Sequence, residues 1–296
     1  MAGKLQATTA KQPVPVVPPT SPRRGRAVIR FAPPLLGLAL ILGLWEGLTR
    51  LLDTPAYLVP KPTDIVEAVG ENWSQLLEAT GRTMIASLSG LALGIIFGIS
   101  GAVILGFSGF LERSLFPYAI TLQTTPIVAI APLIVIWIGP GVKSIIVCSL
   151  IISFFPMLSN TLAGLNSVDP EARMLFRLYG ASRWRTMWKL RLPGAMPYIM
   201  AGVTISGGLS VIGAIVGEFV AGIGGGRGGL GFVIQVSSKQ FNVPYLFAGA
   251  IAGALTGITY HLATKRLARR LLVWHESALN QEGGGRRPAV GPVGGG

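Results

Sequence analysis

The chain has 296 residues, of which 50% are hydrophobic and only 12% charged, with a mean hydropathy of +0.59 and a net charge of +13. A soluble domain carries about 25% charged residues, so composition excludes an ordinary water-soluble globule. The single cysteine, Cys148, excludes an intrachain disulfide and a thiolate metal cluster.

Residues 1–30 are polar, Pro-rich and basic, with the run "KQPVPVVPPTSPRRGR". They lack the apolar content to form a core and read as a disordered tail. Arg23–Arg30 followed by an apolar stretch resembles the start of a signal peptide. That stretch is long and no small-residue cleavage site follows, so an uncleaved first span is expected. Beyond it, charge-free runs recur: 29 residues between Arg82 and Glu112, 29 between Arg113 and Lys143, 25 between Lys143 and Asp169, 26 between Arg191 and Glu218, and 25 between Lys239 and Lys265. About 20 mostly apolar residues suffice for a helix to cross a bilayer, and backbone groups in lipid must pair within their own segment. The pattern predicts spans at 32–52, 83–107, 116–138, 144–165, 195–219 and 244–264. Residues 276–296, with "EGGGRRPAVGPVGGG", read as a flexible cytoplasmic tail.

Sidedness follows from Lys and Arg. With the N-terminus in the cytoplasm, 19 of the 25 basic residues fall on the cytoplasmic side and six outside. The first outside loop is acidic, with Asp53, Asp64, Glu67, Glu71 and Glu78 against Lys61. Both termini are therefore expected inside. The charge is distributed as membrane topology requires, which argues against a nucleic-acid partner.

The loop 166–193 is more organised than topology alone demands. Asp169 is a good N-cap and Pro170 suits the first helical position. Ala172, Leu175, Phe176 and Tyr179 share one helical face, with Arg173 and Arg177 on the other. Gly180 breaks the helix as a left-handed cap would. Ser182 can cap a second short helix, which Pro193 limits. Between them lies "LYGASRWRTMWKLRLP", with Arg183, Arg185, Lys189 and Arg191 and no acid. An ordinary positive-inside loop resting on headgroups, an anionic-lipid site and a docking element for a soluble partner all fit cations and tryptophan. The capped helix–Gly–helix with an apolar face favours docking.

The run from Val168 to Gly202 resembles the coupling-loop signature of bacterial ABC importer permeases: Glu-Ala-Ala, three residues, Gly, a spacer, then an apolar residue before x-Leu-Pro. Gly180 matches the glycine, and Leu190, Leu192 and Pro193 match the ending. Met174, Leu175 and Phe176 occupy the Glu-Ala-Ala place, so that triplet is not kept. "LVPKPTDIVEA", "TTPIVAIAPLIVIWIGPG" and "GEFVAG…GGLGFVI" are similar to the nitrate/sulfonate/taurine-type branch. The resemblance covers residues 35–275. It implies an all-α integral membrane protein with six transmembrane helices in the type I ABC importer permease fold, a permease domain over 31–275, and a place in the bacterial plasma (inner) membrane. It further implies that the loop inserts into a cytoplasmic ABC ATPase, that a second permease completes a homodimer, and that an extracytoplasmic solute-binding protein delivers the solute by alternating access. The coupling residues implied are Asp169, Pro170, Leu175, Phe176, Tyr179, Gly180, Ala181, Ser182, Arg183, Trp184, Leu192 and Pro193. The wording "VIGAIVGEF" and "LYGASRW" leans toward relatives carrying a pyrimidine vitamin precursor or riboflavin over nitrate, sulfonate or taurine, with bicarbonate and cyanate relatives also open.

Other motifs carry less. No GxxxxGK[ST] occurs, so ATP hydrolysis is expected in a separate subunit. No cofactor is expected. "GGGRGG", Gly224–Gly229, formally contains GxGxxG but lacks strand–helix context; it reads as a flexible outside turn. His261 and His275 make a poor metal pair. Glu46, beside Trp45, reads as an i,i+4 ion pair with Arg50. Glu218 ends the fifth span, and an acid there serves a pathway, an outer gate, helix packing or an interface anchor. "TLQTTP" puts Gln123, Thr124 and Thr125 inside the third segment, where they bond between helices or line a polar pathway. An ion- or proton-coupled transporter would need ionisable residues at mid-span, and an intramembrane enzyme a nucleophile, paired acids or metal ligands; neither set is present.

Overall fold

The computed structural model describes residues 26–221 and 228–272, and every regular element among them is helical. Both expected tails fall mainly outside the described residues. The chain divides into two units after Leu48.

The first unit is most of α1 (Arg26–Leu51), whose stretch Pro33–Leu51 is long and apolar enough to cross a membrane. The helix starts at Arg26, inside the stretch expected to be tail. Leu35, Leu36, Leu40 and Ile41 are all more than half exposed, a surface made for lipid or protein.

The second unit begins with the surface helix α2 (Pro62–Glu71). Pro62 takes the first helical position, and the Lys61 backbone N–H donates to Asp64 Oδ2 at 3.1 Å. Ile65 and Ala68 are its buried face. The long helix α3 (Trp73–Phe107) follows, starting well before the expected 83; its first turns carry Glu78 and Arg82, which pair one turn apart.

The third expected span, 116–138, differs in detail. It is built from α4 (Gly109–Thr124) and α5 (Ile127–Ile138), interrupted at Thr125–Pro126. Pro126 has no N–H to donate and disfavours a helical Thr125. Among the described residues five single helices are long and apolar enough to span: α1, α3, and α6 (Val142–Asn166), α10 (Met196–Ala221) and α12 (Val243–Leu271) further along. The broken pair α4–α5 supplies the sixth apolar segment.

Between α6 and α10 lie the two-part loop α7 (Pro170–Leu178) and α8 (Arg183–Thr186), a π-helical turn Met187–Arg191, and the short α9 (Leu192–Gly194). Between α10 and α12 lies α11 (Leu230–Lys239), a helix within the stretch expected only as a loop between the fifth and sixth spans.

The bundle is centred on α3, α6 and α10. Lipid is as apolar as the side chains, so close packing and interhelical hydrogen bonds must hold the spans together. Gly94 and Gly98 of α3 meet α6: an added Cβ would lie 2.7 Å from Ser153 Cβ and 2.5 Å from Met157 Cβ. From α10, Ser206 Oγ donates to the Ser153 carbonyl at 2.9 Å, and from α6 Ser149 Oγ donates to the Ser210 carbonyl at 2.9 Å. Toward the loop end, Leu105, Met157, Leu158, Leu162, Leu165 and Met200 form an apolar core that also takes in Met187 from the loop.

Candidate functional site

The loop builds itself from local chemistry. Asp169 Oδ1 accepts the Glu171 N–H at 3.0 Å, starting α7 behind Pro170. At the other end Gly180 adopts φ +67. The Gly180 N–H donates to the Arg177 carbonyl (3.0 Å) and the Ala181 N–H to the Phe176 carbonyl (2.9 Å), the paired bonds of a Schellman end. Ser182 Oγ then accepts the Arg185 N–H at 3.2 Å and opens α8.

No residue of α7 is buried. Met174, Leu175, Leu178 and Tyr179 are 65%, 51%, 76% and 82% exposed, forming an apolar ridge without cover in the single chain. The expected face divides: Leu175 and Tyr179 point outward, whereas Ala172 and Phe176 are half-buried. Ala181, Leu192 and Pro193 are also half-buried, while Ser182, Arg183 and Trp184 are exposed.

The second half of the loop is fastened to the spans. The Trp184 ring stacks on Phe107, the last residue of α3, with centroids 5.5 Å apart and planes 7° from parallel. Met187 is 1% exposed. The Arg191 guanidinium donates to the Leu165 carbonyl (2.9 Å), the Gly106 carbonyl (2.5 Å) and Asn166 Oδ1 (2.8 Å). Arg173 donates to the Val168 carbonyl and, at 2.7 Å, to the Asn166 carbonyl. Asn166 Nδ2 reaches Glu112 Oε1 at 2.8 Å. Burial first, and the neighbouring Arg173 charge second, draw the Arg191 guanidinium below its ordinary value, and Glu112 opposes them.

About 36 Å away along α3 lies a second polar cluster. Glu218 is 1% exposed. Thr83 Oγ1 donates to Glu218 Oε1 at 2.8 Å, and the Gly231 N–H donates to Oε2 at 2.7 Å. The carboxylate therefore meets the first turn of α11, where helix N–H groups have no intrahelical partner. Gly228 and Gly229 are buried, so this end of the expected flexible turn is packed structure; residues 224–227 lie outside the described residues. A Cβ on Gly229 would collide with Glu218 and Thr83, which explains the glycine.

Gln123, Thr124 and Thr125 sit at the α4–α5 interruption and are exposed. The two threonine hydroxyls bond locally to the Thr121 carbonyl, at 2.8 and 3.2 Å. Glu218 bonds instead to Thr83 and the Gly231 N–H, and none of these bonds involves Gln123, Thr124 or Thr125. Arg191, Asn166, Phe107 and Thr83 were not among the expected site residues. Nothing in spacing separates Arg191 from the three other cations of its segment.

Residues 90–273 match the family described as "Binding-protein-dependent transport system inner membrane component". The chain is 32% identical over 244 residues to the formylaminopyrimidine transport permease protein ThiX of Halalkalibacterium halodurans, covering 82% of this chain and 96% of that protein. It is 33% identical over 263 residues to the riboflavin transport system permease protein RibX of Chloroflexus aurantiacus, covering 86% and 96%. The fold is similar to a chain of the inward-facing MetNI methionine ABC transporter, with TM-score 0.58, 18% identity, and coverage of 67% of this chain and 96% of that one.

Proposed function

Because the chain belongs to the family of binding-protein-dependent transport system inner membrane components, it is the permease subunit of an ATP-driven ABC importer, and we propose that residues 166–193 are where it docks its ATPase. It is not itself an enzyme. The gradient-driven alternative gives way to family membership. The observation that carries the docking reading is the ridge of Met174, Leu175, Leu178 and Tyr179, exposed on a helix capped at both ends. A contiguous apolar patch rimmed by cations marks a protein interface. Arg and aromatic side chains such as Arg183 and Trp184 are the residues that dominate such interfaces.

Two cytoplasmic ATPases, a second copy of the permease and an extracytoplasmic solute-binding protein complete the importer in this reading. The charge bias puts both termini in the cytoplasm. Gln123, Thr124 and Thr125 face the solute's path, and Glu218 holds the outer gate. The solute is a small nitrogen heteroaromatic of the kind named for ThiX and RibX. Residues 114–142 carry no charge, so this segment offers an amide and hydroxyls to hydrogen-bonding edges and no cation to nitrate, sulfonate or taurine.

The test is co-purification in detergent after co-expression with an ABC ATPase from the same organism, comparing wild type with Gly180→Pro. Proline cannot adopt φ +67. The ATPase should accompany wild type and be lost from a variant of unchanged helicity. A wild-type preparation free of ATPase, or a Gly180→Pro chain that keeps it, overturns the docking reading.

A further inference from the structure

A loop that docks an ATPase is useful only if its movement reaches the spans. The chain itself gives one route: α9 leads directly into α10. The α3 and α6 helices need another, because α3 is far away in sequence and α6 enters the loop through the irregular residues 167–169.

The last carbonyls of a helix have no intrahelical donor. At the end of α6 these are satisfied by the loop: Leu165 by Arg191 and Asn166 by Arg173, which also takes the Val168 carbonyl just beyond the helix. At the end of α3 the Gly106 carbonyl is also taken by Arg191. One side chain thus joins the ends of two spans to the loop's last turn. A guanidinium suits this place in two ways. Its five donors lie in a fixed fork, and its charge faces the negative ends of two helix dipoles. The fork also meets Asn166 Oδ1, whose amide is held in turn by Glu112 at the start of α4. Met187 fills the space between: a Cβ on Gly106 would lie 3.2 Å from Leu165 Cδ1 and 3.4 Å from Met187 Cε. Above this joint, α3 and α6 are held by the glycine contacts of Gly94 and Gly98, so the pair responds as one body.

We propose that Arg191 is the positioning residue through which movement of the docking loop is delivered to α3 and α6. This rests on the docking reading of residues 166–193. In this role Arg191 touches neither solute nor nucleotide. It fixes the angle between the loop and the two helices, so that a loop carried by the ATPases carries the spans with it. Without it the loop still presents its apolar ridge, because α7 is started by Asp169 and Pro170 and ended at Gly180 with no bond from Arg191, but it turns against the span ends.

The experiment uses the full importer in proteoliposomes, with ATPase, binding protein and solute, comparing wild type, Arg191→Gln and Arg191→Lys. Lysine keeps the charge but carries its three donors on a single nitrogen, so it cannot span acceptors now met by Nε, Nη1 and Nη2, and it separates charge from the three-way fork. Three quantities are read: ATPase co-purification, basal hydrolysis, and solute moved per ATP. Both variants should keep the ATPase and basal hydrolysis, while transport per ATP falls by about tenfold, within the range of coupling between distant sites. Transport per ATP equal to wild type in Arg191→Lys overturns the proposal, since charge alone would then suffice. Hydrolysis and transport falling in proportion in both variants also overturns it, because the residue would then serve only to build the loop. Failure of the wild-type chain to retain the ATPase would instead remove the docking reading.

Discussion

Thr83 Oγ1 lies 2.8 Å from Glu218 Oε1 and accepts the Leu230 N–H at the same distance, so a single hydroxyl joins α3, α10 and α11. Thr83→Val keeps the shape and removes both bonds. It leaves a buried N–H and one carboxylate oxygen short of partners, at a cost of about 1–3 kcal/mol per group. Helix α11 should then loosen from the bundle. Ser237 on α11 is 2% exposed, and the native Cys148 is buried and silent. Ser237→Cys should resist a membrane-impermeant maleimide in the parent chain and react within minutes in the Thr83→Val background. Equal protection in both would mean that α11 is held by its contacts with α12 and not by Glu218.

The glycines of the spans divide by what their backbone touches. Gly94→Ala would place a Cβ 2.7 Å from Ser153 Cβ, whereas Gly208→Ala on α10 would meet nothing within 4 Å. The first should cost about 1–3 kcal/mol by overpacking. The second should be neutral or gain up to about 1 kcal/mol from helix propensity. Thermal unfolding in one detergent, read by a probe that follows the bundle, compares them directly. A Gly94→Ala chain as stable as Gly208→Ala would show that α3 and α6 separate easily, which would also weaken the idea that they move as one body.

Much of the loop was legible because its chemistry is local. Asp169, Pro170, Gly180 and Ser182 act on backbone within a few residues, so their types and spacing carry the geometry. The apolar face was only half legible: helical spacing grouped Phe176 with Tyr179, but which of them faces the bundle depends on the neighbouring elements. Arg191 was not legible, since its acceptors at Gly106 and Leu165 come from two other helix ends. The interruption at Pro126 hid inside an unbroken apolar stretch, where composition outweighed a single proline. Helix α11 was missed because the glycine run Gly224–Gly229 before it reads as a flexible turn; Gly229 and Gly231 are there to admit Glu218 and Thr83, a long-range reason that no local rule contains.

The α4–α5 interruption supports the last prediction. Gln123 is exposed in a segment that carries no charge from 114 to 142. An amide in hydrocarbon without a partner costs several kcal/mol, and non-helical backbone at membrane depth persists only against protein or water. The chain alone covers neither Gln123 nor Thr125, so in the assembled importer this face meets the second permease or a watery path. Gln123→Cys should therefore react with a hydrophilic maleimide in the assembled importer, with buried Cys148 as background, and protection by saturating solute-loaded binding protein would place it on the path. Gln123→Leu should lower kcat/KM for uptake by about tenfold, the loss expected when a site's hydrogen-bonding group is removed, while basal ATP hydrolysis stays unchanged. A labelled cysteine with unaltered uptake kinetics would make the face wet but not part of solute recognition. A cysteine that reacts only with lipid-soluble reagents would turn the α4–α5 break toward the bilayer and remove it from the pathway altogether.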